Sequence, residues 1–246
     1  AIKDFSSTLS LNPNNEVAYT SRAYYKTQIG DFKGALSDYS AAIKIDPLKP
    51  ENYLSRASTN FNLGDYEQAN LDYKKVLDIG DNTQKLESVI YLIDNYLILS
   101  NLSKVPELIE KAKPLLNQSD NKEKETILLY AESRYYINIG NFNKSEELAK
   151  KCLAKTNDSF LENACSSLLS NIYIDNKDYD KAKKFIKFRT YEGQISLAYI
   201  AFMEKKLQKA ERILKRIYKR QFKIENFKRP DPFLSSMIGS ALWFQG

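Results

Sequence analysis

The residue types that most often carry catalysis are missing from this chain or scattered along it. Histidine is absent, which removes the Ser-His-Asp and Cys-His nucleophile systems, the H-E-x-x-H zinc site and the commonest general base near neutral pH. Cys152 and Cys165 lie thirteen residues apart with no C-x-x-C and no histidine to complete a zinc set. They read as two buried small apolar residues rather than a disulfide or redox pair. Carboxylates are abundant, as at Glu123, Glu125, Glu146 and Glu147, but they alternate with lysine as i,i+4 surface pairs do. The eight glycines form no phosphate-cradling loop, and the D-x-D-x-D-G calcium pattern is absent. No catalytic residue, metal or cofactor is therefore expected, and a non-enzymatic role follows.

The elements that position the side chains are helical. The 246 residues are 43% hydrophobic and 28% charged, with a mean hydropathy of −0.50, as in an ordinary foldable chain. Eight Gly and seven Pro are too few for an all-β protein with a turn every ten residues. No apolar run approaches the ~20 residues of a spanning helix. Shifting the chain by 34 residues superposes it on itself. Ala1-Ile2-Lys3-Asp4-Phe5 falls on Ala35-Leu36-Ser37-Asp38-Tyr39 and on Ala69-Asn70-Leu71-Asp72-Tyr73. Tyr19 to Ala23 falls on Tyr53 to Ala57, and Gly30-Asp31-Phe32 on Gly64-Asp65-Tyr66. Apolar residues recur at three- and four-residue spacing on both sides of each Gly-Asp, so each unit is a pair of amphipathic helices. Gly30 and Gly64 suit the left-handed turn after the first helix, and Asp31 and Asp65 the cap of the second. Ala23, Ala35, Ala57 and Ala69 are small where the two helices meet, Tyr39 and Tyr73 fill the space between hairpins, and Pro13 and Pro47 stop the second helices.

This pattern resembles the tetratricopeptide repeat family. Its aromatic, small, Gly, aromatic, Ala, aromatic, Ala and Pro positions are occupied by Tyr19, Ala23, Gly30, Phe32, Ala35, Tyr39, Ala42 and Pro47. The next unit supplies Tyr53, Ala57, Gly64, Tyr66, Ala69, Tyr73 and Val76, with Asp81 in place of the Pro. The match is strong over 1–83 and continues more weakly to 246. The resemblance implies an all-α fold, a right-handed superhelical solenoid of antiparallel helix hairpins. The expected units are 1–15 (partial), 16–49, 50–83, 86–117, 126–157, 163–190, 191–222 and 232–246 (partial). The third turns at Leu99-Ser100-Asn101-Leu102, with Pro106 near a helix start and Pro114 as a kink. The last unit has Gly239 at the small position and Gly246 at the turn. A chain that starts inside a second helix and stops at a turn is expected to be a portion of a longer protein.

In this family the first helices line a concave groove. The resemblance places Thr20, Ser21, Tyr24, Leu54, Ser55, Ser58, Tyr91, Asp94, Tyr130, Arg134 and Asn171 there, to hold a peptide or protein segment; the other reading is a solvated spacer surface. Some members clamp acidic chaperone tails with Lys, Asn and Arg. Here those places hold Thr20, Tyr24, Ser55, Glu87 and Tyr91, and Glu87 would repel a carboxylate. A register one repeat later puts Leu54 and Ser58 first and is no better.

Charge marks a second surface. The net +6 divides into +12 over residues 181–229 and −6 elsewhere. In a helix over 207–222, Leu207, Ala210, Ile213, Leu214 and Ile217 form an apolar stripe while Lys209, Arg212, Arg216, Lys219, Arg220 and Lys223 project elsewhere. Such a face docks an acidic protein surface, nucleic acid or an anionic membrane, is a plain solvated face, or meets the acidic part of a second copy in self-association. Phe222, Phe227 and Phe233 flank the basic run without a repeated stacking motif. A compact globule of this length has a radius of gyration of about 18 Å. Small-angle scattering should give a larger value, and one at or below it would rule out the solenoid.

Overall fold

Capping and turn chemistry cut the chain into helices. In a computed structural model, which describes residues 1–117, 122–187 and 190–221, Asn15, Asp31 and Asp65 each accept a hydrogen bond from the backbone N–H three residues on. Asp81 and Gln84 cap each other reciprocally. Each of these residues starts a helix. Gly30, Gly64 and Gly140 have φ of +79°, +80° and +78°, the left-handed conformation that ends a helix at least cost without a Cβ. Ser100, Lys177 and Lys205 hold the same conformation in three other turns.

The residues fall into two units, 1–140 and 141–246. The first contains α1 (Ile2–Leu11), α2 (Glu16–Gln28), α3 (Phe32–Ile45), α4 (Pro50–Leu63), α5 (Tyr66–Ile79), α6 (Asn82–Ile98), α7 (Val105–Asn117, after a 3-10 turn) and α8 (Lys122–Asn138). The second contains α9 (Phe142–Lys155), α10 (Ser159–Asp175), α11 (Tyr179–Phe185), α12 (Tyr191–Met203) and α13 (Leu207–Gln221). Among the described residues every regular element is helical, and no helix there is long and apolar enough to cross a membrane. Within each unit successive helices pack as hairpins: α2 on α3, α4 on α5 and α6 on α7, then α10 on α11 and α12 on α13. The fold is all-α and repetitive.

The hairpins close where the sequence has alanine. Ala23, Ala35, Ala57 and Ala69 are fully buried. Ala23 and Ala35 pack with Tyr39, and Ala57 and Ala69 with Tyr73, in cores where a larger side chain would force the helices apart. Pro114 lies inside α7, near its end. In the second unit Ala182, Ala198, Ala210 and Leu214 are buried. The expected helix over 232–246, with Gly239 and Gly246, lies outside the described residues, as do Phe222, Lys223, Phe227 and Phe233.

Cys152 and Cys165 depart from the sequence reading. Both are buried, but they form a disulfide joining α9 to α10, with their Cα atoms 6.4 Å apart. A separation of thirteen residues gives no bonding signal by itself; the antiparallel return of α10 along α9 brings the two sulfurs together.

A polar clamp recurs with the repeat. Arg22 donates to both carboxylate oxygens of Asp38, at 2.8 and 2.7 Å, and to Ser6 Oγ at 3.0 Å. Arg56 does the same to Asp72, at 2.8 and 2.6 Å, and to Ser40 at 3.0 Å. Each guanidinium lies over a tyrosine, Tyr19 or Tyr53. The planar five-donor fork explains the choice of Arg, because one side chain joins three helices bidentately. Burial pushes the Asp38 carboxyl up, but hydrogen bonds from Arg22 and Lys26 outweigh it and hold the group below its ordinary value. A lowered folded value means that this stabilisation is complete above about pH 4 and is lost as pH falls through the folded value. Asp38→Asn should therefore cost about 1–3 kcal/mol at pH 7 and much less once the wild-type carboxyl is protonated. Urea unfolding at pH 7 and pH 2.5 checks this; an equal loss at both would show that the charge is not the cause.

Candidate functional site

In the first unit, α2, α4, α6 and α8 lie side by side, held by polar contacts that step from one first helix to the next. The Glu16 carboxylate on α2 accepts from Lys49 Nζ at 2.9 Å and from Asn52 Nδ2 on α4 at 2.7 Å. Thr20 Oγ1 donates to the same carboxylate at 2.9 Å and lies 2.8 Å from Asn52 Oδ1. Burial pushes Glu16 up, but these donors hold its carboxyl below its ordinary value. Gln84 on α6 donates to Glu51 on α4 at 2.7 Å. Lys124 on α8 donates to the Thr83 carbonyl on α6 at 3.2 Å and to Glu87 at 3.4 Å, and Arg134 on α8 donates to Asp94 on α6 at 2.5 Å. These partners are separated by 32 to 41 residues, about one repeat. That spacing was the available sequence signal for Glu16, Asn52, Glu51, Gln84 and Lys124, which the residue-by-residue reading missed.

This network sorts the expected groove residues. Thr20, Asp94 and Arg134 are engaged in it, and Arg134 also covers the Tyr130 ring at 5.6 Å. Leu54 packs against the apolar core, and Ser55 is half-buried and hydrogen-bonded to Tyr39. Ser21 and Tyr130 are half-buried. Tyr24, Ser58 and Tyr91 are exposed on α2, α4 and α6, with Tyr24 53% and Tyr91 39% accessible. Asn171 is exposed on α10 of the second unit.

Between α6 and α8 the surface opens into a cavity of about 230 Å³. Ile90, Tyr91 and Ile127 give it an apolar and aromatic wall, and Glu87, Asp94 and Glu123 supply carboxylates beside the ammonium of Lys124. Tyr91 stacks on Tyr73 with ring centroids 5.1 Å apart. Burial pushes the Tyr91 hydroxyl up, and the charge of Glu87 adds to it, so the hydroxyl stays protonated and able to donate. Burial also raises the Asp94 carboxyl, despite the opposing Arg134.

The basic face lies on α13. Ala210, Leu214 and Ile217 are buried, and Ala198, Leu214 and Ile217 form a core with Ile195 and Ile213. Lys209, Arg212 and Arg216 are exposed, and none has an ion pair among the described residues. Seven other lysines of this unit are paired: Lys144, Lys150, Lys151, Lys181, Lys183, Lys187 and Lys206. The side chains of Lys219 and Arg220 lie outside the described part of α13.

Residues 50–80 and 167–187 match the tetratricopeptide repeat family model. The chain carries tetratricopeptide repeats. Its fold is also that of solved members. A tetratricopeptide repeat protein from Parabacteroides merdae ATCC 43184 has 15% identity and a TM-score of 0.73, over 98% of this chain and 91% of that one. A signal-transduction ATPase with a tetratricopeptide repeat sensor, from Pyrococcus horikoshii, has 19% identity and a TM-score of 0.74, over 98% of this chain and 41% of that one. YrrB, a tetratricopeptide repeat protein with an unusual peptide-binding site, has 14% identity and a TM-score of 0.55, over 76% of this chain and 90% of that one. At these identities the likeness establishes the fold. No curated protein matches the sequence. Tetratricopeptide repeats serve in general as scaffolds for protein–protein interaction, and proteins of this fold are generally non-catalytic.

Proposed function

We propose that the first unit is a non-catalytic scaffold that holds a peptide or protein segment along its layer of first helices. The observation that carries this reading is the division of labour on that layer. Thr20, Leu54, Asp94 and Arg134 are tied into packing or polar contacts, while Tyr24, Ser58 and Tyr91 stay exposed on α2, α4 and α6 and Tyr91 lines the cavity between α6 and α8. Tyrosine offers a large rigid surface with a polar tip at low entropic cost, which suits recognition. Glu87 and Asp94 are matched by Lys124 and Arg134, which leaves Glu123 beside Tyr91 to favour a segment with a basic side chain over the acidic tails that some tetratricopeptide proteins hold. A photo-crosslinking residue at Ser58 or Tyr91, exposed to an extract of the native source, should capture a discrete partner. The same residue at the exposed Lys74 on α5 should not. Equal capture at all three positions would remove the assignment to this face.

A second reading concerns α13, because its exposed Lys209, Arg212 and Arg216 lack the ion pairs that their neighbours have. Ile213, Leu214 and Ile217 of α13 pack in the core of their own unit, which argues against their insertion into lipid. Arginine spaced at four residues suits bidentate contact with carboxylates of an acidic protein segment. Reversing Arg212 and Arg216 to Glu should weaken binding to a poly-glutamate peptide at least tenfold at 50 mM salt. Tighter, salt-sensitive binding to duplex DNA or anionic vesicles would point to those ligands instead.

A further inference from the structure

Cys152 and Cys165 hold a fixed place in the repeat. Twelve residues after the turn glycines Gly30, Gly64 and Gly140 stands a fully buried second-helix residue: Ala42, Val76 and Cys152 in turn. Thirteen residues further, on the next first helix, stand Ser55, Val89 and Cys165. In the first unit the pair at 76 and 89 is two buried valines, which hold that junction by packing. In the second unit the same two positions, on α9 and α10, are joined by the disulfide.

The helix that follows shows what the bond makes up for. α10 has 17 residues, but α11, its hairpin partner, has seven where α3 and α5 have fourteen. At 1.5 Å per residue α11 is about 10 Å long against about 25 Å for α10. Beyond Phe185 the chain leaves the helix, and a cavity of about 460 Å³ opens there, lined by Phe160, Asn163, Ser167 and Asn171 of α10 and by Phe185. α10 therefore receives less packing from its partner than α2 and α4 receive from α3 and α5. Its hold on the preceding helix is correspondingly stronger: Tyr173 donates to Glu146 of α9 at 2.7 Å, and the disulfide fixes the junction covalently. Closing a short loop by a bond also removes conformations from the unfolded chain, which favours the folded one.

We infer that the Cys152–Cys165 bond is a structural staple of the second unit, and that this chain folds in an oxidising compartment. Making the bond takes two protons and two electrons from the two thiols. An oxidant of the thiol-exchange class, itself a disulfide, accepts them: one cysteine thiolate attacks it, the other displaces the mixed disulfide, and the oxidant leaves as a dithiol. A compartment kept reduced by glutathione or thioredoxin drives that exchange backwards. The chain has two cysteines in all, so oxidation within one molecule gives a single product. Once α9 and α10 have closed, both cysteines are fully buried and the bond is out of reach of a dissolved thiol.

Thiol trapping in the native source tests it. Cells quenched in acid and alkylated with N-ethylmaleimide should yield, after trypsin, the fragments 152–155 and 156–177 as one linked species that separates only on reduction. Both cysteines alkylated before reduction would overturn the inference. The purified chain should melt roughly 10 °C lower in dithiothreitol than without it, and its reduction in native buffer should be at least tenfold slower than in urea. Cys152→Val/Cys165→Val copies the valines of the first unit, so it should keep the wild-type helix content yet melt below the oxidised protein. If it melts as high, packing alone holds the junction and the staple is overturned. Rapid reduction in native buffer would overturn it as well, in favour of a labile redox switch.

Discussion

A hairpin of two amphipathic helices cannot bury its own apolar surface, because each helix has one face for its partner and another for the next hairpin. The structure meets this constraint at the alanine contacts. Ala23 against Ala35 and Ala57 against Ala69 let paired helices approach closely, and Tyr39 and Tyr73 lie buried in the same cores. Burial in the first unit is therefore continuous from α4 to α8, through Tyr73, Leu86, Ile93, Val105 and Leu128. The rest of the local chemistry keeps those contacts in register. Glycine at φ near +80° turns the chain at least cost, and an Asp or Asn one residue later satisfies the free N–H groups of the next helix.

Polar residues add what packing leaves unspecified. The Arg22–Asp38 and Arg56–Asp72 clamps are bidentate and directional, so they fix how neighbouring helices face one another. The contacts from Glu16 to Asn52, Glu51 to Gln84 and Asp94 to Arg134 do the same between successive first helices. A surface so engaged has few groups left to offer a partner. This is why exposure, rather than position in the repeat, separates Tyr24, Ser58 and Tyr91 from the other expected groove residues.

The two units put different chemistry on one scaffold. Glu87, Asp94 and Glu123 surround the first cavity, while amides, hydroxyls and phenylalanines line the second. Within the second unit, most lysines of α9 and α11 are neutralised locally, whereas Lys209 of α13 has no ion pair among the described residues.

The sequence determined the helical hairpins, their turns and the alanine contacts. Those features depend on residues close in the chain: Gly30-Asp31 forms its turn and cap within four residues, and the 34-residue period repeats the arrangement. Tertiary structure decided everything that joins residues a repeat or more apart. It brought Glu16 to Asn52 and Asp94 to Arg134, which are ordinary surface residues in one dimension. It also bonded Cys152 to Cys165, against the sequence reading, because two thiols thirteen residues apart meet only if the helices carrying them return antiparallel in the right phase. The cavity beside α11 was equally hidden. It depends on where a helix stops and on how closely Lys187 passes Gly193, and a difference of about two turns in helix length leaves little trace in local propensity.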